Sequence, residues 1–326
     1  MKRGKRYLVT GGTGFLGAAL VKKLVAQGCS VRVFDDGSRG RSRRLGETLR
    51  HVEMIDGDIR DPQAVAKAAR GVDGIWHLAF VNGTEFFYTK PELVLEVGVK
   101  GMMNVLDACL KHDIGELITA SSSEVYQTPP RVPTDESAPM TIPDPLNARY
   151  SYAAGKMISE ILTLNYGRSL IGRVVVFRPH NVYGPDMGFE HVIPQFVLRM
   201  RELVEKQASG LLPFKIQGDG RQTRSFIYVD DFIDGLMLLR KRGAHRGIYH
   251  IGTTEELTIA RLAREVGGFF GRRIELVAGK PAPGGTSRRC PDIGKMAKLG
   301  FAPKISLKQG LALTAPWYVA HAGDKR

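Results

Sequence analysis

Cysteine is scarce: Cys29, Cys109 and Cys290 lie far apart, are odd in number and form no CxxC pair. That spacing argues against a disulfide scaffold and for three reduced thiols in a cytoplasmic protein. No apolar run approaches the roughly 20 residues needed to span a bilayer, so no membrane association is expected. The basic start, MKRGKRYLVTGG, runs at once into a strand-like segment and a glycine loop. It lacks the long apolar stretch of a secretory signal, and none is expected. The histidines show no metal-ligand spacing, and no metal is expected. Internal repeats and low-complexity segments are missing as well.

What remains is ordinary globular material with an unusual charge. The 326 residues are 43% hydrophobic and 25% charged, enough for a sizeable core, and the net charge is +14. A basic surface serves either a polyanion or a phosphate-bearing small molecule. No arginine-rich tail, zinc-finger spacing or aromatic RNA-binding strand accompanies the charge, so nucleic acid is disfavoured. The densest cluster, RGRSRR from Arg39 to Arg44, reads as an exposed loop.

Apolar strand-like runs alternate with helical stretches through the first half. YLVT (7–10), VRVF (31–34), HVEMI (51–55), GIWHLA (74–79), ELITAS (116–121) and RVVVFR (173–178) read as strands. FLGAALVKKLVAQG and PELVLEVGVKGMMNVLDACLKH are helical candidates between them. Strands apolar almost throughout are expected when helices cover both sheet faces, so this alternation predicts a doubly wound parallel α/β sheet of the Rossmann type. After Arg178, prolines 179, 185, 194 and 213 and the stretch GKPAPGG (279–285) loosen the pattern. We therefore expect a Rossmann domain over 1–178, rejoined by segments near 224–252, and a smaller mixed substrate domain from the rest of 179–326.

TGGTGFLG, from Thr10 to Gly17, follows the first strand and opens the first helix. Gly11, Gly12, Gly14 and Gly17 satisfy the dinucleotide spacing. Glycine permits the tight turn, the approach of backbone to pyrophosphate and the helix–strand packing, and the helix N-terminus supplies unpaired N–H groups. Thr13, Phe15 and Leu16 fall within the same loop and first turn. Asp35 ends the second strand, where a carboxylate accepts the adenosine ribose hydroxyls and repels an added 2′-phosphate; NAD is the expected cofactor. Asp58 and Ile59, after the third strand, are placed to reach the adenine.

Tyr152 and Lys156 form YxxxK in a helical stretch, which sets both side chains on one face. An ammonium beside a phenol favours phenolate, which can take a proton from a sugar hydroxyl while hydride leaves for NAD. SSSEVY (121–126) ends the fifth strand at the same edge and offers a hydroxyl to the reacting oxygen.

These segments, with DGDIRD, HLAF, RPHNVYGP, GDGRQTRSFIYVDD and RRCPDIGKMAKLGFAPKISLKQGL in the same order, resemble the extended short-chain dehydrogenase/reductase family of nucleotide-sugar epimerases, dehydratases and decarboxylases. The resemblance implies Ser122, Tyr152 and Lys156 as catalytic residues. It implies further cofactor contacts from Asp36, Ser38, Leu78, Ala79 and Pro179. Asn181 would contact the substrate, with Ser123 and His180 beside it, His180 lining the pocket without moving protons. Arg224 would neutralise the diphosphate, assisted by Arg288 or Arg289. A homodimer through a bundle containing the YxxxK helix is also implied. Three residues depart from the family pattern, all beside the nicotinamide position: Gly98 where Asn is frequent, Phe80 where HLAA is usual, and Gln127 where Gly follows VY.

Oxidation at carbon 4 leads to epimerisation, to 4,6-dehydration or, for a uronate, to decarboxylation. Family dehydratases place Asp and Glu side by side; here Ser123 precedes Glu124, which argues against dehydration and makes Glu124 the informative catalytic candidate. Epimerisation of a UDP-sugar demands least beyond the triad and is the expected reaction, with UDP-glucuronate-type decarboxylation the alternative. A nucleotide-binding sensor or RNA-binding protein is the non-enzymatic alternative.

Overall fold

The computed structural model describes residues 4–280 and 286–324. The first three residues of the basic start and most of the 279–285 stretch lie outside those bounds. Six strands fall where the apolar runs predict: β1 (Arg6–Thr10), β2 (Ser30–Asp35), β3 (Val52–Asp56), β4 (Gly74–His77), β5 (Glu116–Ala120) and β6 (Arg173–Pro179). A seventh, β7 (Gly247–Ile251), comes from the second half of the chain and pairs with β6. All neighbours are parallel, in the order β7-β6-β5-β4-β1-β2-β3. The order reverses between β1 and β4, and the crevice at that reversal opens at the carboxyl ends of the strands.

The sheet holds together because successive side chains of each strand enter opposite apolar layers. Val9, Trp76, Ile118 and Val175 join one buried cluster; Leu8, Ile75, Leu117 and Val174 join the other. Helix α1 (Phe15–Ala26) covers the first face with Leu20, Val21 and Leu24. Helices α2 (Pro62–Ala69) and α3 (Gly101–Lys111) cover the second with Val65, Ala68, Val105 and Leu106. Asp61 caps α2 by accepting from Gln63 N and Ala64 N at 2.8 and 3.2 Å. Helix α4 (Ser151–Tyr166) carries the YxxxK pair.

The single helix expected over 91–112 is interrupted. Pro91–Leu95 passes into a wide π-type turn over Glu96–Lys100 before α3 begins. Gly98 sits in that turn, directly against the Phe80 ring. Beyond β6, apart from β7, the strands of the described residues form three small sheets. In one of them Thr223–Ser225 lies between Glu256–Thr258 and Arg288–Arg289, with Arg224 opposite Arg289 in register.

Candidate active site

The glycine loop is fixed by contact. Gly11 has φ +69°, and a Cβ there would stand 2.8 Å from Ala79 N. One at Gly12 would stand 2.7 Å from Val33 Cγ1, and one at Gly17 only 2.0 Å from Gly11 O. Gly14 caps α1 without a side-chain hydrogen bond, and no acid occupies the first turn, around Phe15 and Leu16. The N–H groups and positive dipole end of α1 are therefore left for an anion, which fits a dinucleotide pyrophosphate. Asp35 stands beside this cradle, accepting from Thr13 N at 2.9 Å and Gly37 N at 3.0 Å.

The basic run from Arg39 to Arg44 is not the free loop that its composition suggests. Arg44 and Arg43 pair with Asp186, Arg43 also with Asp324, and Arg39 with Glu190 while lying 4.9 Å from the Phe86 ring centre. Gly40 is buried against Thr13 and Asp35. The run thus ties the cofactor edge to the second half of the chain, and carboxylates neutralise three of its charges.

The other expected cofactor contacts surround the same crevice. The amides of Leu78 and Ala79 both donate to Thr10 Oγ1 at 3.2 Å. Asp36 closes its own surface turn by accepting from Ser38 N and Oγ. Asp58 is gripped by Arg60, whose hydrogen bonds hold its carboxyl below the usual carboxylate range. Ile59 packs beneath Gly101, and Pro179 ends β6 opposite Ile251.

Ser122, Tyr152 and Lys156 come together where β5 ends. Ser122 caps the short turn Ser123–Tyr126, its Oγ accepting from Glu124 N at 3.2 Å. Tyr152 is buried; its ring stacks on Phe87 with centres 4.7 Å apart and meets the Phe80 ring edge-to-face. Burial raises its phenol well above the ordinary value, opposed by the nearby Ser122 hydroxyl. Ionisation near neutral pH therefore requires positive charge close to the hydroxyl. Lys156 donates to Ala120 O at 2.7 Å, and burial lowers its ammonium to about 7, opposed by Glu160.

Two of the three departures expected beside the nicotinamide compensate one another. The Phe80 ring fills the space that a side chain at Gly98 would need. Gln127 takes φ +51°, an uncommon conformation for a residue with a Cβ, and its Nε2 donates to Glu124 O at 2.6 Å.

Glu124 is the centre of a cationic cluster. Arg289 Nη1 donates to its Oε1 at 2.5 Å, and Arg289 Nη2 donates to Thr286 Oγ1 at 3.1 Å. Burial pushes the Glu124 carboxyl up, but Arg289, Arg149 and Arg224 together outweigh that and hold it low. Arg224 donates to Thr223 O, and burial with the Arg289 charge lowers its guanidinium to about 10. Arg288, by contrast, pairs with Glu256 at the surface and does not join the cluster. Arg149 is the member that sequence reading missed; its place one turn before Tyr152 was the available signal. Its Nε is buried without a partner.

Behind the cluster lies a buried polar chain. Glu160 and Arg178 pair through two hydrogen bonds, 2.8 and 2.6 Å, with side-chain exposures of 0% and 2%. Ser121 also bonds Glu160, and Arg178 bonds the Tyr126 hydroxyl, which meets His250 Nε2 at 2.6 Å. His180 lies 4.7 Å from the His250 ring, fully buried, with neither nitrogen bonded. Burial first, then His250 and Arg289, keep its imidazole neutral. Asn181, at φ +38°, spends its Nδ2 on Ser225 O, and Ser123 is buried. Among the described residues no group of three or more His, Cys, Asp or Glu is arranged to hold a metal.

A model of the NAD dependent epimerase/dehydratase family matches residues 7–252. The chain is 33% identical to UDP-glucuronic acid decarboxylase 2 of Arabidopsis thaliana over 317 residues, 96% of this chain and 68% of that protein. It is 31% identical to the UDP-N-acetyl-alpha-D-glucosaminuronate decarboxylase of Bacillus cytotoxicus, over 96% and 98% of the two chains. Its fold is similar to the UDP-glucose 4-epimerase of Thermotoga maritima bound to UDP-glucose (TM-score 0.85, 26% identity, 97% and 99% covered). It is likewise similar to the dTDP-glucose 4,6-dehydratase of Streptomyces venezuelae with NAD and TYD bound (TM-score 0.84, 31% identity, 98% of each). The cradle, the triad's placement and likeness over nearly the full length agree, and the chain belongs to the NAD-dependent epimerase/dehydratase family.

Proposed function

We propose that this enzyme decarboxylates a UDP-hexuronate, oxidising the sugar at carbon 4 with NAD. This departs from the epimerase expected from the triad alone. The observation that carries it is the Arg289–Glu124 pair beside Ser122. Glu124 unpaired would repel a substrate carboxylate; paired with Arg289 it is neutralised. Three guanidinium charges against one carboxylate leave two positive charges for the anionic groups of the substrate. The two decarboxylase relatives support the same reading.

NAD, when bound, supplies reversible hydride acceptance at the sugar carbon. Tyr152 removes the proton of the 4-hydroxyl, Ser122 hydrogen-bonds that oxygen, and the Lys156 ammonium stabilises the phenolate. Carbon dioxide then leaves the resulting β-keto acid, its bonding electrons passing into the keto group. Arg149 and Arg224, the two charges left over once Arg289 is paired with Glu124, hold the carboxylate and diphosphate in place for this step. Carbon 5 must next take up a proton, which comes from water rather than from Glu124, held as a carboxylate by its guanidinium neighbours. Dehydration lacks its acid, because Ser123 presents a buried hydroxyl where an aspartic acid would be needed.

Incubation with NAD and UDP-glucuronate labelled at the carboxyl carbon tests the proposal by release of labelled carbon dioxide. Retention of the label with an isomeric product would instead establish the epimerase reading, which the likeness to the Thermotoga enzyme favours. We further propose a homodimer in the cytoplasm, formed through α3 and α4. Ile158, Ile161 and Leu110 expose apolar surface on those helices, and a monomer by light scattering would refute the assembly.

A further inference from the structure

Phe80, on the loop after β4, is a side chain that the reaction as described does not use. Its ring occupies a gap that exists only because two neighbours are glycine. A Cβ at Gly98 would stand 2.5 Å from Phe80 Cζ, and one at Gly155 would stand 3.0 Å away. Gly98 lies in the wide turn before α3 and Gly155 on α4, so the ring is wedged between those two elements.

The wedge meets both residues of the reacting pair. Lys156 Nζ lies 3.9 Å from the Phe80 ring centre, and the Tyr152 ring meets it at 82° with centres 5.2 Å apart. Nζ itself lies 5.9 Å from the Tyr152 ring centre. The other groups acting on this buried ammonium are few. Ala120 O from β5 accepts its hydrogen bond, Glu160 on the same helix attracts it, and His77 of β4, kept neutral by burial, stands nearby. Beside that acceptor and Glu160, the Phe80 face adds negative potential at the shortest ring distance to the ammonium, 3.9 Å against 5.9 Å for Tyr152.

We propose that Phe80 is a positioning residue for the Tyr152–Lys156 pair: its ring, seated between Gly98 and Gly155, holds the ammonium charged and aimed at the tyrosine. This rests on the reading of Tyr152 and Lys156 as the reacting pair, not on which sugar they oxidise. The face of a desolvated ring favours the ammonium by about 2- to 30-fold, or about 0.4 to 1.5 pH units in its titration midpoint.

The test uses the intact protein labelled with [13C]lysine and needs no substrate. The ε-CH2 signal of Lys156, identified by its loss in Lys156→Met, is expected far upfield because it lies over the ring. In Phe80→Leu, which keeps the volume and removes the π face, the signal should lose that displacement. Its titration midpoint should fall by about 0.4 to 1.5 pH units. Phe80→Tyr, which restores the face, should restore both. Gly98→Ala, which pushes the ring aside, should reproduce Phe80→Leu, and the double variant should be no worse than either single. With whichever nucleotide sugar the enzyme turns over, kcat should fall in Phe80→Leu while KM stays constant. A midpoint unchanged or raised in folded Phe80→Leu, or in Gly98→Ala should the first variant not fold, overturns the proposal. Failure to release carbon dioxide from UDP-glucuronate would touch only the substrate assignment.

Discussion

Replacing Arg178 by Met should destabilise the protein by about 3–5 kcal/mol, because it leaves Glu160 a buried carboxylate without its counter-charge. Both side chains are almost wholly excluded from solvent, so no discount for screening applies. The unfolding entropy of a protein of this length is roughly 0.7 kcal/mol per degree, so the melting temperature should drop by about 4–7 °C. Removing both charges in Arg178→Met/Glu160→Met should recover most of the loss. A buried pair exchanged for apolar side chains is often neutral, whereas a broken pair is not. A residue of about 1–2 kcal/mol should persist. Ser121 loses its acceptor in the double variant, although Tyr126 keeps His250. Calorimetric melts of wild type, the two singles and the double at one pH give the coupling directly. A single variant costing less than about 1 kcal/mol, or a double variant as unstable as the worse single, would refute this reasoning. The pair matters to the site because Glu160 follows Tyr152 and Lys156 on one helix stripe, so its anchor sets the height of α4 against β5 and β6.

Two further outcomes concern Lys156 and Asp35. Lys156 titrates near 7 in the folded protein, well below the ordinary lysine value, so folding carries its full cost at acid pH. Above about pH 7 the folded chain has shed the proton that the unfolded chain keeps, and stability should climb by about 1.4 kcal/mol per pH unit until near the lysine value. Lys156→Met should abolish that slope, and parallel melting curves for the two proteins between pH 7 and 9 would count against it. Asp35→Ala should weaken NAD binding by about 10- to 150-fold through loss of charged hydrogen bonds. Any gain of NADP binding in calorimetric titration should come from Arg41 and vanish in Asp35→Ala/Arg41→Ala, because Arg39, Arg43 and Arg44 are already paired.

The sheet was legible because burial on both faces writes itself as unbroken apolar runs. Leu8–Val9, Ile75–Trp76 and Leu117–Ile118 each send one residue to either layer, and no other common element needs such pairs. The interruption at Gly98 was not legible. A periodic apolar stretch reads as one helix, and the ring that fills the turn comes from Phe80, 18 residues earlier. The Arg39–Arg44 run misled for a related reason: a cluster of like charge looks solvated until the carboxylates that neutralise it, at 186, 190 and 324, are folded against it.

The same separation explains why the triad expected a simpler reaction than the surrounding residues support. Ser122, Tyr152 and Lys156 can each be read from short motifs, because strand end and helix face fix them locally. The oxidation we propose for those residues is common to epimerases, dehydratases and decarboxylases, so they do not choose among them. In the reading we propose, the choice belongs to the charge around Glu124, which is assembled from Arg149, Arg224 and Arg289. Arg289 reaches Glu124 across 165 positions of sequence, through a three-stranded sheet whose register sets it beside Arg224. A glutamate alone in SSSEVY reads as an acid, a base or a spectator. Paired with Arg289, it is a neutralised group in a site of net positive charge. Such a site is suited to a substrate that brings a carboxylate as well as a diphosphate.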